Sequence, residues 1–414
     1  MLIHSASQLL LMTSQPQRGS QLGTLNLITD GAVLVRNGRI AETGASADLR
    51  ARFPEEEALD AGGRVVMPAF VDAHTHLVWA GSRAAEFEMR LQGKTYLEIM
   101  AAGGGIQSTV NATRAASREE LLSQTRSRAL DLLRHGTATA EAKTGYGLDL
   151  KNELKQLEVL LALDCEVPLE ILPTFLGAHA IPAEYKDRPD EYVGLICAEM
   201  LPAVKRWWAE RTAGKPLPFM DVFCEKGAFS LAQSRKILER ARELGFPLKI
   251  HADEFENLGG SALAAELGAV SADHLVTTSA ADIQSLAASD TAAVSLPLTP
   301  FGLAEKEYSP AQKFIQAGAL FALASDLNPG TAWCGNMQMA MAVACRYMRL
   351  TPAQAVAAAT INAAAAVGRQ RELGSLHPGK QADLLILSVS DYRHLAYQFG
   401  ANLVDKVIKK GRLV

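Results

Sequence analysis

A chain of 414 residues with a net charge of −4, 48% hydrophobic and 21% charged, has the composition of an ordinary soluble globular protein. It is long enough for a barrel of about 250 residues or more with an accessory unit. The absence of a long basic block excludes the electrostatic footprint of a nucleic-acid binder, and five scattered cysteines (Cys165, Cys197, Cys224, Cys334, Cys345) without a Cys-x-x-Cys exclude a disulfide framework.

Met1-Leu-Ile-His-Ser-Ala-Ser-Gln-Leu-Leu-Leu-Met is apolar over too short a run, and lacks the basic start, to be a signal peptide. It reads as a strand, and the chain is expected in the cytoplasm. Ala32-Val-Leu-Val-Arg-Asn-Gly-Arg-Ile carries the pair Asn37-Gly38, the mark of a tight hairpin. Beyond Val65 the pattern changes. Short apolar segments begin near Val65, Gly136, Pro168, Phe219, Phe246, Ala269, Thr291 and Leu320. Between them lie helical-period runs, including Arg118 to Arg134, Leu150 to Leu163, Leu231 to Leu244, Gly259 to Leu267 and Ala280 to Ala288. Eight such units predict an α/β fold, a (β/α)8 TIM barrel over 65–369. An Ala-rich helical block, Thr351 to Gly368, is expected to pack on that barrel. Strand character returns in Gly379-Lys-Gln-Ala-Asp-Leu-Leu-Ile-Leu and Leu403-Val-Asp-Lys-Val-Ile, so residues 1–64 and 370–414 are expected to share one small β domain.

The chemistry gathers at the ends of the barrel strands. Met67-Pro-Ala-Phe-Val-Asp-Ala-His74-Thr-His76 closes an apolar run on two histidines. If Val65 to Asp72 is one buried parallel strand, both imidazoles leave its carboxyl end on the same side, which is half of a metal site. Taken alone, a His-x-His is equally a pair of hydrogen-bonded loop histidines. Three further segments weigh against that: Phe246-Pro-Leu-Lys-Ile-His251, Gly268-Ala-Val-Ser-Ala-Asp-His274 and Leu320-Phe-Ala-Leu-Ala-Ser-Asp326. Four strand ends carrying His-x-His, His, His and Asp make chance a poor explanation, and barrel catalysis occurs at those ends.

These residues resemble the amidohydrolase superfamily. Within it they are most similar to the imidazolonepropionase family, through Phe70-Val-Asp-Ala-His-Thr-His-Leu-Val-Trp-Ala-Gly-Ser-Arg, Gly103-Gly-Gly-Ile-Gln-Ser-Thr-Val, Glu141-Ala-Lys-Thr-Gly-Tyr-Gly-Leu, Thr174-Phe-Leu-Gly-Ala-His-Ala, His251-Ala-Asp-Glu-Phe and Ser325-Asp-Leu-Asn-Pro-Gly-Thr. The likeness spans essentially the whole chain. It implies a β-sandwich built from both termini beside the barrel, and hydrolytic opening of 4-imidazolone-5-propanoate to N-formimidoyl-L-glutamate in histidine degradation. It also implies one divalent metal per chain, Zn2+ or Fe2+/Fe3+, on His74, His76, His251 and Asp326. Imidazole and carboxylate ligands of this kind do not separate zinc from iron.

Opening a cyclic amide needs an activated water, a polarised carbonyl and a proton for the leaving nitrogen. Glu254, three residues after His251, is the preferred general base or shuttle, although a lone Glu past a strand is usually a solvated loop residue. His274 is either an oxyanion or water-activating group or a hydrogen-bonding support, and Asp326 is both ligand and proton acceptor. Arg83 is expected to clamp the substrate carboxylate, a role resting on the resemblance. Tyr146 and His179 are expected to donate hydrogen bonds to ring and carboxylate, with a core or rim position as the alternative. Asn328, Gly330 and Thr331 match the family's product-binding turn. Gly103-Gly104-Gly105 is a lid, an anion-binding nest or plain flexible loop. Lys143 ends the second strand, where some amidohydrolases carry a carbamylated lysine bridging two metals. The resemblance points to a single metal, and Lys143 stays outside the ligand set.

The partner is a small-molecule substrate, with neither nucleic acid nor membrane expected, and a homodimer is the default assembly for such enzymes. Two other readings compete: a deaminase of guanine or cytosine type on the same barrel, which would release ammonia, and a metal-stabilised scaffold without activity. A scaffold needs neither Glu254 nor His274.

Overall fold

The computed structural model describes residues 1–94, 98 and 103–414. Both ends of the chain contribute to one eight-stranded sheet. Its strands are β1 (Leu2–Leu10), β2 (Leu27–Arg36), β3 (Arg39–Ala45), β4 (Ala58–Asp60), β5 (Val65–Pro68) and, from the far end, β14 (Leu384–Leu387), β15 (Val404–Lys409) and β16 (Arg412–Leu413). β1 pairs antiparallel with β2 and parallel with β5, and β5 pairs antiparallel with β14, which stitches the two termini together. Alternate residues such as Ile3, Val33, Val66, Leu384 and Ile408 share one buried cluster. The β2–β3 turn has φ 53 at Asn37 and 72 at Gly38, the left-handed pair that a two-residue hairpin requires.

The second sheet has eight parallel strands: β6 (Phe70–Asp72), β7 (Thr137–Lys143), β8 (Glu170–Ala178), β9 (Phe219–Cys224), β10 (Lys249–Ala252), β11 (Ser271–His274), β12 (Ala292–Ser295) and β13 (Leu320–Leu323). Successive strands are neighbours throughout. Beyond the short β6 and β13 the loops close the ring. Thr75 bridges Leu327 in parallel, the Asp326 N–H donates to the His74 carbonyl at 3.0 Å, and the His76 N–H donates to the Leu327 carbonyl at 2.9 Å. The seam that closes the barrel therefore carries His74, His76 and Asp326.

One expectation is corrected here. The apolar run from Val65 to Asp72 is two strands, β5 in the terminal sheet and β6 in the barrel. The chain changes sheets at Ala69, whose N–H donates to the Asp383 carbonyl at 3.0 Å, while the Phe70 N–H donates to Gly136 at 3.0 Å. Pro68 has no N–H to extend a ladder. A continuous apolar run reports burial on both faces and is silent about which sheet buries it.

The helices outside the barrel lie where the periodicity put them: Arg118–Arg134, Leu150–Glu166, Leu231–Glu243, Gly260–Leu267 and Ala280–Ala287. Ser117 with Glu120, and Ser230 with Gln233, form capping boxes that fix two of the starts. The Thr351 to Gly368 block is helical in two pieces, Pro352–Ala358 and Ile361–Ala365. The break is at Thr360, whose hydroxyl turns back to the Val356 carbonyl at 2.7 Å and competes with the helical ladder. Among the described residues no helix is long and apolar enough to cross a membrane.

Candidate active site

His74 and His76 lie in the loop after β6, His251 is the third residue of β10, His274 ends β11, and Asp326 follows β13. All five are buried. His76 Nε2 lies 3.4 Å from His74 Nε2 and 3.4 Å from His251 Nε2. Asp326 Oδ1 lies 3.4 Å from His74 Nε2 and 3.5 Å from His76 Nε2. Edges of about 3.4 Å among His74, His76 and Asp326 suit three ligand atoms around one cation with bonds of about 2.1 Å, and His251 adjoins the group through His76. Asp326 Oδ1 has no hydrogen-bond partner although it is buried. Burial, the Lys143 ammonium and the neighbouring imidazoles hold His74 well below its ordinary range, and burial with His179 and His251 does the same to His76. Unprotonated nitrogens and an unpaired carboxylate oxygen facing one point form an arrangement that a divalent cation completes.

His74, His251 and His274 also bring ring nitrogens within 4.8 Å of one another. His274 belongs more closely to Glu254, whose Oε2 lies 3.7 Å from its Nε2. Both His274 (φ 81) and Asp326 (φ 54) have left-handed backbones, a strained state for residues with a Cβ that the surrounding packing must enforce.

Behind the imidazoles lies a buried charge network that sequence reasoning missed. Asp273 Oδ2 lies 2.6 Å from His74 Nδ1, and Asp221 Oδ2 lies 3.0 Å from His251 Nδ1. Lys143 Nζ joins them, 2.7 Å from Glu141 Oε1, 2.8 Å from Asp221 Oδ2 and 3.8 Å from Asp273 Oδ2. Burial works against the ammonium, but these three carboxylates outweigh it and hold Lys143 above its ordinary range. Carbamylation needs a free amine, so Lys143 is placed as a counter-ion. The signal for Asp221 and Asp273 was present, an acidic residue inside a buried barrel strand, but it did not say which histidine each would face.

A cavity of about 540 Å³ opens above the cluster. Arg83, Tyr146, His179, Glu254, Asn328 and Thr331 all line it. Burial, then the charges of Asp326 and Glu225, push the Glu254 carboxyl well above its usual range. Tyr146 is likewise raised by burial and stays a neutral phenol. Arg83 precedes helix Ala84–Leu91, and Glu86 Oε2 engages its Nε at 2.9 Å and Nη2 at 2.8 Å. That leaves the outer edge, Nη1 with Nη2, for a carboxylate.

His179 departs from its expected role as a donor. Its Nδ1 lies 3.0 Å from the Gly145 carbonyl, which can only accept, and burial lowers the ring to about 3. The neutral ring therefore carries its proton on Nδ1 and presents Nε2 as an acceptor. Asn328 is engaged within its own turn, with Nδ2 donating to the Asp326 carbonyl at 2.7 Å and Oδ1 accepting from the N–H groups of Gly330 and Thr331 at 2.8 Å. Gly330 lines an adjoining cavity of about 370 Å³, where a Cβ would stand 2.2 Å from Arg83 Nη1, so the glycine makes room for the arginine. Gly105, before helix Ile106–Ala115, reaches the main cavity. Glu225 was missed too. It accepts from the N–H groups of Phe255 at 3.0 Å and Glu256 at 3.1 Å and so fixes the loop that carries Glu254.

The chain is similar to known proteins over its whole length. Residues 65–414 match the Amidohydrolase family, and residues 31–55 match the Imidazolonepropionase-like composite domain of bacteria. The chain is 52% identical over 413 residues to the imidazolonepropionase of Herpetosiphon aurantiacus, covering 100% of this chain and 96% of the relative. It is 48% identical to that of Chloroflexus aggregans, covering 100% and 98%. Among solved structures, E. coli guanine deaminase superposes with a TM-score of 0.74 at 15% identity, covering 100% of this chain and 98% of the other. A zinc-bound adenosine deaminase from Xanthomonas campestris gives 0.71 at 20%, covering 100% and 92%. At such identities the two deaminases share the fold alone.

Proposed function

Since the chain belongs to the amidohydrolase family, and within it to the imidazolonepropionases, we propose that it hydrolyses 4-imidazolone-5-propanoate to N-formimidoyl-L-glutamate. The observation that carries the reading is the unpaired Asp326 Oδ1 facing the His74 and His76 nitrogens at the floor of a cavity that also holds Arg83, Tyr146 and His179. His74, His76, His251 and Asp326 would hold one divalent ion per chain, Zn2+ or Fe2+/Fe3+, which when bound supplies Lewis acidity and activates water. Imidazole nitrogens and a carboxylate fit either element.

The chain's own groups do the rest. Glu254 takes a proton from the attacking water at its carboxylate and delivers it to the ring nitrogen as the C–N bond of the cyclic amide breaks. Its raised affinity for a proton suits a group that takes one up and passes it on. His274, beside it, hydrogen-bonds the oxyanion that develops on the carbonyl. Asp326 accepts the second proton of the attacking water as the new carboxylate forms, while Thr299 holds its other oxygen. The outer edge of Arg83 binds the propanoate arm, the Tyr146 hydroxyl donates to the substrate, and His179 Nε2 accepts from a ring N–H. The turn of Asn328, Gly330 and Thr331 shapes the wall against which the ligand rests.

We place the enzyme in the cytoplasm as a homodimer, to be checked by sedimentation. The deciding experiment follows product from purified protein. Formation of N-formimidoyl-L-glutamate without ammonia is expected. Stoichiometric ammonia, or equal turnover of an analogue lacking the propanoate arm, would overturn the assignment in favour of a deaminase.

A further inference from the structure

Glu153 is a fully buried carboxylate that the mechanism leaves unused. It stands in the first turn of helix Leu150–Glu166 and is entirely covered. Acidic residues at that depth are nearly always paired with a cation. Glu153 is held by the Thr144 hydroxyl and by backbone donors instead. Its Oε2 accepts from the Gly145 N–H at 3.1 Å, and its Oε1 accepts from the N–H groups of Gly147 and Leu148, each at 2.8 Å. One helical turn further on, Gln156 Oε1 accepts from the Tyr146 N–H at 3.4 Å. All four N–H groups from Gly145 to Leu148 are thus satisfied by two side chains of a single helix.

This turn carries one neutral recognition group of the cavity and fixes the other. Tyr146 is its second residue, and the carbonyl of Gly145 fixes the His179 ring at Nδ1. The turn has no slack. A Cβ on Gly145 would stand 2.9 Å from His179 Nδ1, and one on Gly147 would stand 2.6 Å from the Glu153 backbone nitrogen. Gly145 has φ 107, a conformation suited to glycine. Successive N–H groups converging on one anion form a nest, the arrangement that elsewhere binds phosphate or sulfate. Here the anion is a side chain of the protein.

We propose that Glu153 is the positioning residue for substrate recognition: its carboxylate fills the nest of residues 145–148 and thereby sets the Tyr146 phenol and, through the Gly145 carbonyl, the acceptor face of His179. The proposal rests on the reading of Tyr146 and His179 as substrate-binding groups. Glutamine in place of Glu153 keeps one acceptor oxygen and turns an NH2 group toward an N–H that it cannot accept from. The turn must then shift at Gly145 or at Gly147, and both recognition groups move with it.

The test is a kinetic cycle on the metal-loaded enzyme with Glu153→Gln, Tyr146→Phe and His179→Asn. Glu153→Gln is expected to raise KM about tenfold, the effect of a buried hydrogen bond left unmade, while kcat changes less than about threefold and metal content is unchanged. Calorimetric titration with N-formimidoyl-L-glutamate should show the same weakening without turnover. In the Tyr146→Phe, His179→Asn background the effect of Glu153→Gln should vanish, because a residue acting through two others has nothing left to act on. An additive effect, or loss of metal with Glu153→Gln, would overturn the proposal and mark the residue as a support of the fold at large. Unchanged KM with Glu153→Gln while Tyr146→Phe raises it would overturn the proposal and leave the site reading standing. Unchanged KM in both Tyr146→Phe and His179→Asn would overturn that reading and the proposal with it. Should Glu153→Gln fail to fold, Glu153→Asp, which retracts the carboxylate by one methylene, takes its place in the same cycle.

Discussion

Asp273 Oδ2 approaches His74 Nδ1 to 2.6 Å, with both side chains fully buried. The contact keeps the proton on Nδ1 and leaves Nε2 bare toward Asp326 and His76, so Asp273 orients an imidazole that it never accompanies to the cation. Supports of this kind usually account for about 10- to 100-fold in metal affinity. Asp273→Asn is therefore expected to weaken metal binding by about that factor, read by competition with a chromophoric chelator. An affinity equal to that of the parent protein would remove Asp273 from the orienting set.

The four proposed ligands lie on strand ends and closing loops, outside the buried apolar core. His74→Ala, His251→Ala and Asp326→Ala are each expected to lose bound metal and activity and to keep the far-ultraviolet circular dichroism of the parent. Retained metal with normal turnover in any one of them would take that residue out of the ligand set.

Glu254→Gln keeps the shape of the side chain and removes its proton chemistry. Metal content should stay the same while kcat falls about 100-fold or more, within the usual range for a positioned acid or base. Unchanged turnover would leave Glu254 as a binding residue only.

Arg83→Ala removes the guanidinium whose inner edge is already held by Glu86. Loss of one charge-assisted contact to the propanoate arm should weaken substrate binding by about 2–3 kcal/mol, with metal content intact. An analogue without the arm should be a poor substrate and nearly indifferent to the change. Equal sensitivity of the two compounds would show that Arg83 supports its loop and does not read the carboxylate.

Glu170 opens β8 and reaches the terminal sheet. It pairs with Lys409 at 3.0 Å and Arg369 at 2.7 Å. Burial alone would raise its carboxyl, but the two cations prevail and hold it at about 2. A folded-state value below the unfolded one contributes stability that is fully present above about pH 4.3 and is lost as pH falls through the folded value. Thermal melts should therefore fall between about pH 4 and pH 2, and Glu170→Gln should be less stable at pH 7 with a flatter profile over that window. Parallel profiles for the two proteins would show that the pair contributes nothing to docking the sheet on the barrel.

The alternation of apolar and helical-period segments was enough to predict the barrel, because repeated βα units bury their apolar faces in few other ways. Asn37-Gly38 marked its hairpin for an equally local reason, since few residue pairs adopt two successive left-handed conformations. His74, His76, His251 and Asp326 stood out because a parallel barrel brings the carboxyl ends of its strands to one face, so sequence position alone brings them near one another. What lay beyond local pattern was decided by tertiary packing. The chain changes sheets at Ala69 because β1 and β14 claim Val65 to Pro68, and neither neighbour is visible in that run. Asp221, Asp273 and Lys143 are single residues far apart in sequence. Only the closed barrel makes them one network, and only burial makes their pairing obligatory. The acceptor face of His179 was equally out of reach, because the tautomer of an imidazole is set by whatever stands against its other nitrogen. Here that is a carbonyl 34 residues away, in a turn held by Glu153.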